Sequence, residues 1–395
     1  FGGDAITYGL LAATYPAFQL VGAPLLGRWS DTFGRKRVLL LSNVGTSIGW
    51  ILFLYAILLP AEKSFTANIA FIGTFVISVP LFMLFLARAI DGVTGGNIST
   101  AYAYLADLST DDTRSKNFGK MAISSNLGFI IGPAIAGILG GTIYGEILPV
   151  LAALILSVVT VIVIVFLLKE SKPLSKEISI PVDGTIRKVF AQECRDPHSR
   201  AGINKPRFQE VFKLEYVSFL LVVYFLIFLG FNIYYAAFPT HAANDLKWSV
   251  TQLGIYYAVL GGVMAFVQGP ILRKALKKTS EEKLVVIGSL ILGVGFVLYV
   301  SNNIVSVSGA LILFAVGNGL MWPSFMSILS RRAGSKLQGT VQGVAGSFGG
   351  LASIIGLILG GFLYTSIGGA TFLISAGIIL AIFVMSFRLL VKKAV

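Results

Sequence analysis

Charge is scarce in this chain: Asp, Glu, Lys and Arg make up 12% of 395 residues, about half the share of an ordinary soluble domain. A single cysteine, Cys194, excludes an intrachain disulfide, and with only two histidines far apart, His198 and His241, no metal-ligand cluster can be assembled. No Walker loop and no nucleophile elbow is present, so the common signatures of enzymes are missing and no cofactor is expected. What fills the chain is apolar: 55% of residues are hydrophobic and the mean hydropathy is +0.84. Runs of about 20 apolar residues, the length that crosses a hydrocarbon core of about 30 Å, recur almost throughout. Only helices satisfy their own backbone in such runs, so the expected fold is an all-α, polytopic membrane protein.

The apolar pattern predicts eleven spans, at 8–27, 38–59, 79–106, 117–141, 147–168, 214–239, 250–272, 284–301, 304–330, 337–364 and 368–390. The third is ambiguous, because the apolar stretch from Ile69 to Ala106 is long enough for two crossings. Charge arbitrates, since Lys and Arg collect in cytoplasmic loops. With one crossing, the segments 28–37, 107–120 (the loop itself being 107–116), 169–213, 273–283, 331–336 and the C-terminus share one side. They then hold all of the 31 basic residues except Lys63, Lys247 and Arg88. Those loops are predicted to be cytoplasmic, with Ile69 to Ser78 an extracellular lead-in and the bilayer, a cell or bacterial inner membrane, as the environment. The net charge of +13 is then a topology signal, and no nucleic-acid partner is implied.

The chain is also repeated. "KNFG…ILGGTIY" recurs 220 residues later as "KLQG…ILGGFLY", aligning Gly119 with Gly339 and Tyr144 with Tyr364. "LARAIDG" aligns with "LFAVGNG" at an offset of 227, pairing Asp91 with Asn318 and Arg88 with Ala315. Five spans before the polar stretch 169–213 and six after it predict two six-helix bundles with an upstream helix preceding "FGGDAITYG". The expected units are therefore 1–168, a cytoplasmic linker at 169–213 with room for short amphipathic helices around Ile186 to Cys194, and 214–395.

Three motifs resemble the major facilitator superfamily and, within it, the twelve-span drug:proton antiporters that include the tetracycline exporters. "GRWSDTFGRK" is similar to the loop signature GxLADxxGRK through Gly27, Asp31, Gly34, Arg35 and Lys36, with Trp29 and Ser30 in place of the usual Leu and small residue. "LFLARAIDG" resembles LxxxRxxxG through Leu84, Arg88 and Gly92. "GPAIAG" resembles the exporters' GPxxGG motif through Gly132, Pro133 and Gly137, one turn after Gly128, with Ala136 and Ile123 where glycines are usual. The resemblance implies that the loop motif and an acid at the end of the third span, Asp107, form a latch within the first half that acts in the outward-facing state.

The residues themselves support parts of this. Asp31 and Arg35 can pair if their segment is helical, and Gly34 permits a tight turn. Arg88 and Asp91 are three apart in mid-span, where each charge costs about 2.5–3.5 kcal/mol and normally finds a partner or faces a cavity. They share a helix face and are expected to pair, either as a structural ion pair or with Asp91 as the proton carrier and Arg88 tuning it. Gly128, Gly132, Pro133 and Gly137 are expected to let helices pack closely, and Pro133 and Pro323 to add kinks. Polar and aromatic residues in the spans, Asn97, Tyr102, Asn126, Asn232, Tyr235, Gln268, Asn318, Trp322 and Gln342, are the expected lining of a substrate cavity.

The implied function is a monomeric secondary transporter, with a small-molecule substrate and protons as partners, exporting a lipophilic or weakly charged compound by alternating access. Proton-driven nutrient uptake on the same fold and a non-transporting receptor or scaffold are the alternatives.

Overall fold

The computed structural model describes residues 4–60, 64–69, 73–171, 208–214 and 216–391. Most of the expected linker, with Cys194 and His198, lies outside the described residues. The helices are α1 (Ala5–Phe33), α2 (Arg35–Leu58), α3 (Val79–Thr94), α4 (Ile98–Asp107), α5 (Asp111–Gly140), α6 (Ile147–Leu167), α7 (Phe208–Lys213), α8 (Val217–Asn244), α9 (Val250–Phe266), α10 (Leu272–Leu276), α11 (Glu281–Leu298), α12 (Ile304–Ile367) and α13 (Thr371–Val391). Helix α12 is two arms joined at Gly334, whose φ of 66° and ψ of 166° no helix contains. Every expected span coincides with a helical pass, and polar caps set several starts. Asp4 accepts from Thr7 N at 2.8 Å to begin α1, and Ser249 and Gln252 form a capping box on α9.

The third span crosses once, as the charge bias requires. It is not one helix, however: α3 stops at Thr94, Gly95–Gly96–Asn97 form a non-helical turn, and α4 resumes at Ile98. Ahead of it, β1 (Ser64–Ile69) and β2 (Gly73–Ser78) pair antiparallel from Ser64↔Ser78 to Ile69↔Gly73. The alternating polar and apolar residues of "SFTANI" suit a strand, so the lead-in is a hairpin outside the helical passes. A second irregularity lies between α9 and α10, where Val267–Ile271 form a π-helical turn at Gly269–Pro270, as expected where proline removes a donor. Pro133 and Pro323 both lie inside continuous helices.

Helices α1 to α6 pack largely on one another, as do α8 to α13; the principal crossings between the two sets are α1 on α12 and α5 on α9. Both crossings are tight at the end of the bundle opposite the basic loops. A Cβ on Gly361 would lie 2.4 Å from the Ala5 carbonyl, and one on Gly254 2.3 Å from Gly137 Cα. Glycine there is a steric requirement of helix contact. Towards the basic end the same helices separate: no atom comes within 4 Å of a Cβ built on Gly128, Gly132, Gly262 or Gly346. A Cβ on Gly128 or Gly132 would meet nothing within 4 Å, so neither makes the close approach expected of it, whereas Gly137 and the Pro133 carbonyl meet α9. The bundle is closed at one end and splayed at the basic end.

Gly254→Val should prevent the α5–α9 closure. In a Cys194→Ser background, a cysteine at Thr251, which touches Gly141, should then be labelled much faster by a membrane-impermeant maleimide; unchanged labelling would show that this crossing does not close that end.

Candidate functional site

The opening loop motif builds a network around one guanidinium. Helix α1 ends at Phe33, Gly34 turns the chain with φ 98°, and α2 begins at Arg35. Asp31 and Arg35 thus pair across a turn and not along one helix, at 2.7 Å. The buried Arg35 side chain uses each nitrogen separately: Nη2 meets Asp31, Nη1 donates to Ser30 Oγ at 2.6 Å, and Nε donates to Asp107 Oδ2 at 3.1 Å. That division exploits the fixed fork of arginine. Two residues that sequence reasoning missed complete it. Glu170 Oε1 accepts from Arg35 N at 2.7 Å and Lys36 N at 3.2 Å, capping α2, and Ser171 Oγ donates to Asp107 at 3.1 Å. In return Lys36 Nζ donates to the Val165 carbonyl at 2.8 Å near the end of α6. Gly27 touches nothing through its Cα face.

Deeper in the same half, the backbone break next to Asp91 is answered by side chains. The Thr94 carbonyl accepts from Ser42, the Gly95 carbonyl from Gln19 Nε2 at 3.2 Å, and the Gly96 carbonyl from Ser99 Oγ at 3.3 Å. Interrupted helices inside a membrane need such substitutes. Helix α1 reaches the break because Gly95 and Gly96 carry no side chain: a Cβ there would lie 2.5 Å from the Tyr15 hydroxyl and 2.4 Å from Ala23 Cα. Asn97 sits in this turn.

Arg88 and Asp91 do not pair with each other, contrary to expectation. Asp91 Oδ1 accepts from Thr46 Oγ1 at 2.9 Å, and the Arg88 guanidinium lies 5.3 Å from the centre of the Phe53 ring. Both partners belong to α2. Sharing a helix face fixed direction only, and the neighbouring helix offered each group a better-placed contact.

In the second half, Trp322 packs against Tyr224 and Phe228, with ring centroids 5.5 and 5.6 Å away. One turn further along α8, Asn232 Nδ2 donates to the Phe228 carbonyl at 2.7 Å and Ser353 Oγ at 3.1 Å; Tyr235 follows, 40% exposed. Asn318, one turn before Trp322, donates to Met264 Sδ at 3.1 Å while its Oδ1 is buried without a protein partner. Gln268 lies in the π turn beyond Met264. We group the ring contacts of Trp322, Tyr224 and Phe228 with Asn232 and Asn318, one turn along their helices, as an aromatic wall. Tyr102 belongs elsewhere, 5.3 Å from Phe118, Gln342 lies half-buried on the second arm of α12, and the Asn126 side chain lies outside those described.

Two further polar clusters escaped sequence reasoning. His241 is buried and its Nδ1 lies 2.7 Å from Asp245, which also accepts from Tyr364 at 2.5 Å, close to the Ala5–Gly361 contact. At the basic end, Arg331 meets Glu281 at 2.5 Å and Glu282 at 3.4 Å. Arg331 stands near the end of its helix arm, as Asp107 does at the end of α4, and Glu281 starts α11, as Arg35 starts α2, with the signs exchanged.

Comparison with known proteins agrees with this architecture. The family model described as Major Facilitator Superfamily matches residues 1–357 and 220–394. The chain is 30% identical over 363 residues to the class E tetracycline resistance protein of Escherichia coli, covering 92% of this chain and 79% of that protein. Among solved structures it resembles the human organic anion transporter MFSD10, with a TM-score of 0.65, 24% identity and coverage of 96% and 83%. It also resembles a D-xylose-proton symporter, with a TM-score of 0.71, 15% identity and coverage of 96% and 87%.

Arg35→Met should lower the unfolding midpoint in detergent far more than Asp31→Asn. The first removes the buried guanidinium that holds Asp31, Ser30 and Asp107 together, a loss of about 2 kcal/mol; the second removes a partner that is 55% exposed, worth about 1 kcal/mol or less. Equal shifts in the two variants would contradict the arrangement.

Proposed function

Because the chain belongs to the major facilitator superfamily, we propose that it is a proton-coupled exporter of a small lipophilic or weakly charged organic compound. It is a multi-pass membrane transporter and not an enzyme; coupling, direction and substrate class are what is proposed. The observation that carries the reading is Asp91, a carboxylate in mid-span that, among the described residues, is hydrogen-bonded by a neutral hydroxyl, Thr46. A carboxylate tied up by arginine would keep its charge; one held by a hydroxyl is free to take and release a proton. Its neighbour is the interrupted helix, and irregular backbone beside an ionisable group is a recurrent setting for coupling sites.

If the basic loops face the cytoplasm, the splayed end faces inward and the closed end outward. The units 1–168 and 214–395 then rock about the α1–α12 and α5–α9 crossings. The wall of Tyr224, Phe228, Asn232, Asn318 and Trp322 is the surface we assign to substrate: its rings suit an apolar compound and the unpaired Asn318 Oδ1 accepts a hydrogen bond from it. Export is supported by the likeness to tetracycline resistance proteins. One coupled proton supplies about 2.3 kcal/mol per 100 mV, sufficient for a concentration ratio of about fiftyfold.

In proteoliposomes with an imposed pH gradient, Asp91→Asn should abolish proton-driven accumulation of tetracycline or a comparable amphiphile while leaving downhill exchange intact; retention of concentrative transport would overturn the proton assignment. Asp31→Asn should stop transport although the protein inserts and keeps most of its stability. Normal rates in that variant would remove the loop network from the mechanism.

A further inference from the structure

We infer that the basic end of the second half carries a pocket for the phosphate of an acidic phospholipid headgroup. Two arginines from different helices converge there. The Arg332 and Arg388 guanidinium carbons each lie 5.5 Å from the centre of the Tyr216 ring, so they are separated by no more than twice that distance; Arg388 also lies 5.2 Å from the Phe219 ring. Arg332 closes the first arm of α12, Arg388 stands in the last turn of α13, and Tyr216 precedes α8 with a left-handed φ of 66°. Both cations, Tyr216 and Glu282 line one shallow recess that is open to the exterior.

Neither arginine has a carboxylate within ion-pair distance among the described residues. Glu281 and Glu282 are engaged by Arg331, and Glu281 also accepts from Ser327 at 2.8 Å. Aromatic faces hold the guanidiniums in place without neutralising them. Two like charges so placed repel, and an anion between them converts that repulsion into two attractions. The flat donor fork of arginine matches phosphate oxygens better than any other side chain.

Location selects the source of the phosphate. These residues lie where the spans leave the hydrocarbon layer on the side of the basic loops, the level of the headgroups. Within one turn of Arg388, on the same helix, Val384 is 67% and Phe387 45% exposed, an apolar flank for an acyl chain. A free phosphate ion has no use for that flank, whereas a phospholipid occupies pocket and flank together. The assignment is independent of the transported substrate.

The probes are phosphatidylglycerol, phosphatidylcholine and inorganic phosphate, added to the full chain purified in neutral detergent. Native mass spectrometry should show phosphatidylglycerol retained in preference to phosphatidylcholine, and the double variant Arg332→Ala/Arg388→Ala should weaken that retention about tenfold. Arg332→Gln and Arg388→Gln, each removing one fork, should weaken it about threefold and replace the double variant if that fails to fold. Equal retention by wild type and variants would overturn the proposal. So would a rise in unfolding midpoint with millimolar inorganic phosphate equal to that with phosphatidylglycerol, which would make the pocket a site for the free ion.

Discussion

A peptide carbonyl that loses its helical partner inside a membrane has no water to turn to, and the first half of this protein is arranged around three of them. The turn at Gly95–Gly96–Asn97 frees the Thr94, Gly95 and Gly96 carbonyls, and Ser42, Gln19 and Ser99 satisfy them. Two of those hydrogen bonds need α1 and α2 at close range, and the approach of α1 forbids side chains at positions 95 and 96. The same approach of α2 brings Thr46 to Asp91 and Phe53 to Arg88. One local break thus dictates helix spacing, glycine placement and the surroundings of the mid-span carboxylate. Any change in how α1 or α2 sits against α3 must disturb all of them together.

The spans were legible in the sequence because membrane crossing is a demand on length and polarity alone, and charge bias settled the single crossing of the third span. Interruption of that span was hidden: "TGGN" weakens a helix, but similar glycines at 132 and 349 sit in unbroken helix. Whether such a weak point breaks depends on whether neighbours supply donors, and Ser42 and Gln19 are far away in sequence. The loop network was legible to the extent that a family pattern marks it, hence Asp31, Arg35 and Asp107. Glu170 was not, since its contact with Arg35 spans 135 residues. For Arg88 and Asp91, spacing identified the shared face and misassigned the contact, because the competing partners come from another helix. The aromatic wall was half-visible: Trp322 and Asn232 stood out as polar or large in apolar spans, while Tyr224 and Phe228 looked like ordinary packing.

The two halves use one plan with different chemistry. At the basic end, Arg35 with Asp31 and Asp107 is matched by Arg331 with Glu281 and Glu282, the base and the acids having changed places between the helix start and the helix end. Burial differs too. Arg35 is largely buried and Arg331 is 60% exposed, so the first network is rigid and costly to break, whereas the second is loose and screened by solvent. Only the first half has an ionisable pair in mid-span; at the aligned positions the second has Ala315 and Asn318, and a wall of rings.

None of these networks joins the two halves. Arg35, Asp31, Asp107 and Glu170 all belong to the first set of helices, and Arg331, Glu281 and Glu282 to the second. What closes the bundle is backbone against backbone, at Ala5–Gly361 and Gly137–Gly254. Such contacts gain dispersion energy in small increments and strand no charge when they part. The electrostatic networks therefore act within each half, and the interface between the halves is made of individually weak contacts. If the halves rock as proposed, glycine crossings let that interface part without leaving a buried charge unpaired.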